Sequence, residues 1–184
     1  MILPITIYGH PVLRKVAQEI DEDYPDFEKF TKDMWQTMYS SDGVGLAAPQ
    51  VGRSIRMFVI DCSSFAEEEP HLEGFKKVFI NAVITHREGE EWGMSEGCLS
   101  IPGLNEDVYR PEKIRIEYYD ENWEFHEEEY NGYAARVIQH EYDHLEGIMF
   151  TDHVAPLKKR LLRGKLAGIS KGKFKAKYRF TLPK

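Results

Sequence analysis

Residues 24–39 place Phe27, Phe30, Met34 and Met38 three and four positions apart, which puts them on one face of an amphipathic helix. Asp42-Gly43-Val44-Gly45 breaks that pattern, and Pro49 keeps Leu46-Ala47-Ala48-Pro49-Gln50 from continuing as a long helix. Residues 55–61 (IRMFVID) and 77–85 are rich in β-branched and aromatic side chains and read as strands, with an acidic loop at 63–74 between them. A turn-rich polar patch leads to Glu96-Gly97-Cys98-Leu99-Ser100, ahead of Ile101-Pro102-Gly103. Ile114, Ile116 and Tyr118 alternate along 113–120, a half-buried strand for which 123–129 makes the hairpin partner. Asn131 is placed to cap a second helix. Along it, Ala134, Val137, Ile138, Leu145, Ile148 and Met149 form a wide apolar stripe, with Gly147 near its end. Pro156 opens a basic helical segment whose pattern fades after Gly168. Strands dominate the first two thirds and a central helix follows, so the pattern predicts an α+β single domain with antiparallel or mixed sheets around that helix.

Composition narrows the class. At 184 residues the chain can bury one core without covalent staples. Its 42% hydrophobic and 30% charged residues are those of a folded domain, not of a disordered or fibrous one. No run of about 18 apolar residues is present to span a membrane. The opening Met1-Ile2-Leu3-Pro4-Ile5 is too short for the apolar core of a signal peptide. Cys62 and Cys98 are the only cysteines, too few for a disulfide framework, and a reducing cytoplasm is the expected location. The net charge of -7 is split unevenly. From Pro156 onward there are 11 basic residues and no acidic one, whereas the first 155 residues carry 13 basic against 31 acidic, a formal balance of -18. A basic tail on an acidic body bears on partners and not on fold.

His140-Glu141-Tyr142-Asp143-His144 falls on the second helix. Histidines four residues apart lie one turn above each other on one face, and both imidazoles can reach a single divalent metal ion. Glu141, beside the first of them, can then meet a water bound to that metal. An isolated pair with this spacing is as often two hydrogen-bonded structural histidines. Here, however, His140 lies on the apolar side between Val137 and Leu145, where free imidazoles are poorly solvated. Cys98 is available as a third ligand, and two imidazoles plus one thiolate leave a fourth position open, as in a catalytic site. Cys62, ending an apolar strand, is either a fourth ligand or a buried inert thiol. His10, His71, His86, His126 and His153 have no partner spacing and read as surface or structural.

Three segments, in order, resemble the motifs of the peptide deformylase family: Gly43-Val44-Gly45-Leu46-Ala47-Ala48-Pro49-Gln50, Glu96-Gly97-Cys98-Leu99-Ser100 and His140-Glu141-Tyr142-Asp143-His144. Further resemblance runs from Tyr8-Gly9-His10-Pro11-Val12-Leu13-Arg14 to Gly147 and so covers most of the chain apart from the tail. It implies a catalytic domain over residues 1–155, with 156–184 as a basic C-terminal extension that is not a domain of its own. The implied reaction removes the formyl group from N-formylmethionine at the start of newly synthesised polypeptides. The implied cofactor is one divalent metal ion, ferrous iron in the cell, with zinc, nickel or cobalt as substitutes.

The resemblance also implies roles. Cys98, His140 and His144 hold the metal, and Glu141 is general base and then general acid. The backbone N–H of Leu99 and the amide of Gln50 donate to the oxyanion. Gly43, Val44 and Gly45 pair with the peptide as if adding a strand. Val44, Glu96, Tyr133 and Val137 fall near the pocket for the methionine side chain, Gly97 belongs to the same substrate-binding set, and Arg110 falls near the mouth. Tyr133 stands where some members carry leucine, and Asn105 where some relatives place a second arginine. The implied partners are formyl-methionyl nascent peptides and, through the basic tail, the ribosome.

Two other functions share part of this pattern. Zinc peptidases share H-E-x-x-H but usually take histidine or a carboxylate as third ligand, whereas Cys98 stands in an E-G-C-L-S frame. A non-enzymatic metal-binding module explains the ligands but not the presence of Gln50 and Glu141 in their contexts.

Overall fold

Met57-Phe58-Val59-Ile60 is apolar at four successive positions because both faces of its strand are covered. In the computed structural model, which describes residues 1–184, this strand divides two cores. The chain runs β1 (Ile5–Thr6), α1 (Phe27–Ser40), β2 (Gly45–Ala47), β3 (Met57–Asp61), β4 (Lys76–Cys98), β5 (Ile101–Tyr119), β6 (Phe125–Asn131), α2 (Gly132–Leu145), α3 (Pro156–Ser170) and β7 (Phe180–Thr181). Strands β2 to β6 form one antiparallel sheet in sequence order, and β1 and β7 pair separately in parallel. On one side Met57 and Val59 meet Phe30, Met34 and Met38 of α1 and Leu162, Leu166 and Ile169 of α3. On the other, Phe58 and Ile60 meet Ala134, Ala135, Ile138 and Leu145 of α2. The architecture is the α+β single domain that the pattern predicts.

Four features differ from the sequence expectation, each for a physical reason. The polar patch before Glu96 is not a run of turns: β4 continues through it for 23 residues, paired with β5 across several register shifts. Residues 85–91 are exposed on both faces, so no alternation marks them as strand, and only the backbone ladder holds them there. Asn131 does occupy the N-cap position of α2, but its side chain makes no capping bond. Glu69, from the acidic loop, accepts from Tyr133 N at 3.2 Å instead.

The helical stripe also ends sooner than expected, since Ile148 and Met149 lie beyond α2. Gly147 adopts φ +71° and Ile148 N donates to Asp143 O at 2.9 Å, a left-handed helix stop. A Cβ at Gly147 would also lie 2.6 Å from Arg14 O, so the position requires glycine twice over. Finally, the basic tail is not a free arm. Helix α3 buries Leu162, Leu166 and Ile169, and β7 returns to β1 at the opposite end of the chain.

Candidate metal centre and substrate cavity

Cys98 closes β4 where the chain reverses into β5 through Leu99 and Ser100, with Cys98 and Ile101 paired across the turn. α2 packs against this end of the sheet and presents His140 and His144 from successive turns, their ring centroids 5.2 Å apart. One donor atom from each of Cys98, His140 and His144 lies within 4.8 Å of the others. Cys98 Sγ is 3.4 Å from His144 Nε2. His140 Nδ1 contacts Glu96 Oε2 at 2.9 Å, which fixes the ring and leaves Nε2 as its free ligand atom. Burial alone would raise the Cys98 thiol, but His144 and His140 outweigh it and bring it down to about 5. The donor set is therefore a thiolate and two imidazoles, of which His140 is oriented by Glu96 while His144 Nδ1 has no partner; it suits a single divalent ion with a position left open.

Glu141 lies next to His140 but points elsewhere. Its side chain is buried, and Oε2 has no hydrogen-bond partner. Burial pushes its carboxyl up to about 7, only partly countered by the two histidines. Gly45 makes this placement possible, because a Cβ there would come within 2.5 Å of Glu141 Oε1. An unpartnered carboxylate facing a cavity is chemically available, unlike one consumed by an ion pair.

Gln50 occupies a short 3-10 turn, Ala48–Val51. Its Oε1 accepts from Ala47 N at 2.8 Å, which forces Nε2 toward Cys98 Sγ at 3.4 Å and Ser100 Oγ at 3.3 Å. The amide thus presents N–H groups, and no charge, to the same space. Leu99 is held in turn by Tyr178, whose hydroxyl donates to Leu99 O at 2.7 Å. Burial, with the Cys98 charge nearby, raises the Tyr178 phenol to about 12 and keeps it a donor.

Behind the ligands lies a buried ion network. Arg110 donates to Glu96 at 2.6 and 3.0 Å and to Asp143 Oδ2 at 2.8 Å. Arg136 donates to Glu96 Oε1 at 3.0 Å and to Val108 O at 2.7 Å, and its guanidinium lies over the Trp92 ring. His153 Nε2 contacts Asp143 Oδ2 at 2.7 Å. Burial would raise the Glu96 carboxyl, but His140 and Arg110 dominate and hold it well below the usual carboxylate range.

The structure corrects the expected place of Arg110 and refines those of Tyr133 and Glu96. Arg110, expected near the mouth, is only 4% exposed and serves as a brace between Glu96 and Asp143. Tyr133 does not line the cavity; its ring stacks on Phe65 at 4.7 Å, and Phe65 is the wall. Glu96 does border the cavity, but its carboxylate is committed to His140, Arg110 and Arg136. Sequence reasoning gave no role to Ser100, Arg136, Asp143 and Tyr178, whereas His153, read as surface or structural, makes a structural contact. Asp143 was visible inside the histidine motif, and Arg136 one turn before His140 was a signal, an arginine on an apolar helix face.

The centre opens into a cavity of about 520 Å³. Gly43, Val44 and Gly45 form one side, Gly97, Leu99 and Val137 contribute to the walls, and Gln50, Cys98, His140 and Glu141 lie within it. Strand β2 is the edge of the five-stranded sheet, so its outer side has no partner strand. A second cluster, Asp120, Glu124 and His126, also comes within 4.8 Å at the β5–β6 turn. There, Asp120 already accepts from Asn122 N, Glu124 N and His126, so the group is explained by the hairpin itself.

A family model described as polypeptide deformylase matches residues 2–160. The chain is 58% identical over 190 residues to a peptide deformylase of Christiangramia forsetii, covering 100% of this chain and 97% of that one. It is 55% identical to a peptide deformylase of Cytophaga hutchinsonii, covering 100% and 98%. Among solved structures, the peptide deformylase of Thermus thermophilus superposes with a TM-score of 0.82 at 42% identity, over 94% of this chain and 99% of that one. That of Legionella pneumophila gives 0.80 at 35% identity, over 94% and 98%.

Proposed function

This chain belongs to the polypeptide deformylase family, metal-dependent hydrolases that remove the formyl group from N-formylmethionine at the start of newly made polypeptides, and we propose how its own residues perform that reaction. Cys98, His140 and His144 would hold one divalent ion, ferrous in the cell, with zinc, nickel or cobalt as substitutes. When bound, it would supply Lewis-acid polarisation and lower the pKa of water at the site. Glu141 accepts the water's proton as oxygen attacks the formyl carbon, and later delivers it to the departing amine. The N–H groups of Gln50 Nε2 and Leu99 donate to the oxygen that gains charge. The peptide extends along Gly43-Val44-Gly45 as an added strand on the open edge of the sheet, with its methionine side chain between Val44, Phe65, Gly97 and Val137.

One observation carries this reading: Cys98, with the imidazoles of His140 and His144 within 4.8 Å of it, meets an unpartnered buried carboxylate and an uncharged amide at one cavity. A peptidase reading predicts cleavage of internal amides, whereas this site predicts release of formate from formyl-methionyl peptides and no internal cleavage. Anaerobic purification, metal analysis and both assays on the same sample test it. Internal cleavage without formate release would reject it.

The basic helix supports a second, independent reading, in which the enzyme works in the cytoplasm beside the ribosome. No helix is long and apolar enough to cross a membrane. On α3, Leu157 and Leu161 are 69% and 73% exposed beside Lys159 and Arg160, a surface suited to ribosomal RNA phosphates. Because α3 also buries Leu162, Leu166 and Ile169, truncation would unsettle the core. Lys159→Glu with Arg160→Glu is the appropriate variant. It should weaken co-sedimentation with ribosomes, and the wild-type association should fall steeply with salt. Equal ribosome binding by the variant would reject the docking role.

A further inference from the structure

Residues 171–184, which hold six basic residues and no acidic one, do not trail into solvent but come back to the active-site cavity. Ile5 N donates to Arg179 O at 2.9 Å and Ile7 N to Thr181 O at 3.0 Å, which fastens the end of the segment to β1. The Phe174 and Phe180 rings pack at a tilt with centroids 4.8 Å apart, and Phe174, Tyr178 and Leu182 pack on the core. Tyr178 is tied to Leu99 O, beside the candidate metal ligand Cys98. Between the anchors Phe174 and Tyr178 lie Lys175, Ala176 and Lys177, and all three line the cavity that holds Cys98, His140 and Glu141. Both lysines are exposed, and neither makes an ion pair.

The charges around them give these two residues a meaning that surface lysines lack. The first 155 residues carry a formal balance of -18, and Asp42 lies on the same cavity's rim. The carboxylates nearest the centre offer the lysines nothing, because Glu96 is bound by Arg110 and Arg136, while Glu141 is buried. A formylated peptide has no charge at its N-terminus, so the charges it brings to this cavity are those of its next side chains. We infer that Lys175 and Lys177 form a cationic wall that selects acidic side chains in the first few residues after the formylated methionine. They offset, at this one place, the repulsion that an acidic body exerts on acidic peptides. RNA phosphate is the competing anion, but a charge placed inside the substrate cavity acts on whatever occupies that cavity.

This inference rests on the deformylase reading and deepens it. The test compares metal-loaded enzyme on three formyl-methionyl tripeptides, carrying Glu, Ala or Lys at both following positions, at low and high salt. For native protein, kcat/KM for the Glu peptide should exceed that for the Lys peptide by about three- to tenfold at low salt, as expected for two solvent-exposed ion pairs, with the difference mainly in KM. In Lys175→Glu/Lys177→Glu the order should reverse, and in Lys175→Arg/Lys177→Arg it should persist. The readout is the ratio between peptides, so any general loss in a variant cancels. Formate release from the Ala peptide by native enzyme keeps the two readings separate: its absence would remove the deformylase reading, and this inference with it. Turnover of the Ala peptide with equal ratios in native and charge-reversed enzyme would overturn this inference alone. An Arg variant that loses the acidic preference would also overturn it, because its charge is unchanged.

Discussion

Two walls of one cavity are built to different standards. The wall carrying Cys98, His140 and His144 is backed by a closed ion network in which Glu96, Arg110, Arg136 and Asp143 are each at most 6% exposed. His140 is fixed from behind by Glu96, which Arg110 and Arg136 hold in turn, so that side of the centre tolerates little movement. The wall formed by residues 171–184 depends on one phenol, a two-residue strand pairing and a few aromatic contacts. Its lysines, Lys175 and Lys177, line the cavity's exposed side and are free of ion pairs. The difference teaches that bond-making geometry in this molecule is over-determined, whereas contact with the rest of the peptide is held lightly and can be retuned by substitution.

Predictions that probe this contrast begin on the rigid wall. Glu141→Ala should keep near-stoichiometric metal and lose about 10²- to 10⁴-fold in kcat, the usual share of general acid–base catalysis. Loss of the metal, with the remaining loaded fraction fully active, would contradict the role given to Glu141. Gln50→Leu should lower kcat by about 10²- to 10³-fold with metal content unchanged and only a modest change in KM. A wild-type kcat in that variant would remove Gln50 from the oxyanion site.

Glu96→Ala should act differently, through metal affinity and stability. It frees His140 Nδ1 and takes from Arg110 and Arg136 the carboxylate they share, leaving Arg136 without a charged partner, so metal affinity should fall about 10- to 100-fold. Unfolding should also become easier by about 3–5 kcal/mol in denaturant titrations. A Glu96→Ala protein with native metal affinity would show that the imidazole needs no brace. The smallest effect belongs to the other wall. Tyr178→Phe removes one hydrogen bond to Leu99 O, so the expected cost is about 1 kcal/mol and a few-fold loss in kcat. If Tyr178→Phe proved as damaging as Gln50→Leu, the contrast between the walls would fail.

The same contrast governs what could be read from the sequence. Metal ligation imposes spacing, so His140 and His144 one helical turn apart, with Glu141 between them and Cys98 as a scarce residue type, were legible. The α1 stripe and the strand around Ile116 were legible because each has a buried face with a regular period, and the strand around Phe58 because its apolar, β-branched and aromatic run is continuous. The brace was not, because Arg110 on β5 meets Asp143 on α2 only after folding. The family resemblance alone implied a place near the mouth for Arg110. The exposed middle of β4 was hidden because neither face is buried. Residues 171–184 were hidden because β7 is two residues long and its partner, β1, lies at the other end of the chain. A run of lysines carries no mark of the cavity it will border.

Metal titration tests the central claim most directly. Protein stripped with a chelator is titrated anaerobically with ferrous ion, and bound metal and formate release from a formyl-methionyl peptide are measured on each sample. The geometry predicts no activity without metal, then a linear rise that breaks at one ion per chain. Formate release from fully stripped protein, or none at one bound ion per chain, would contradict it.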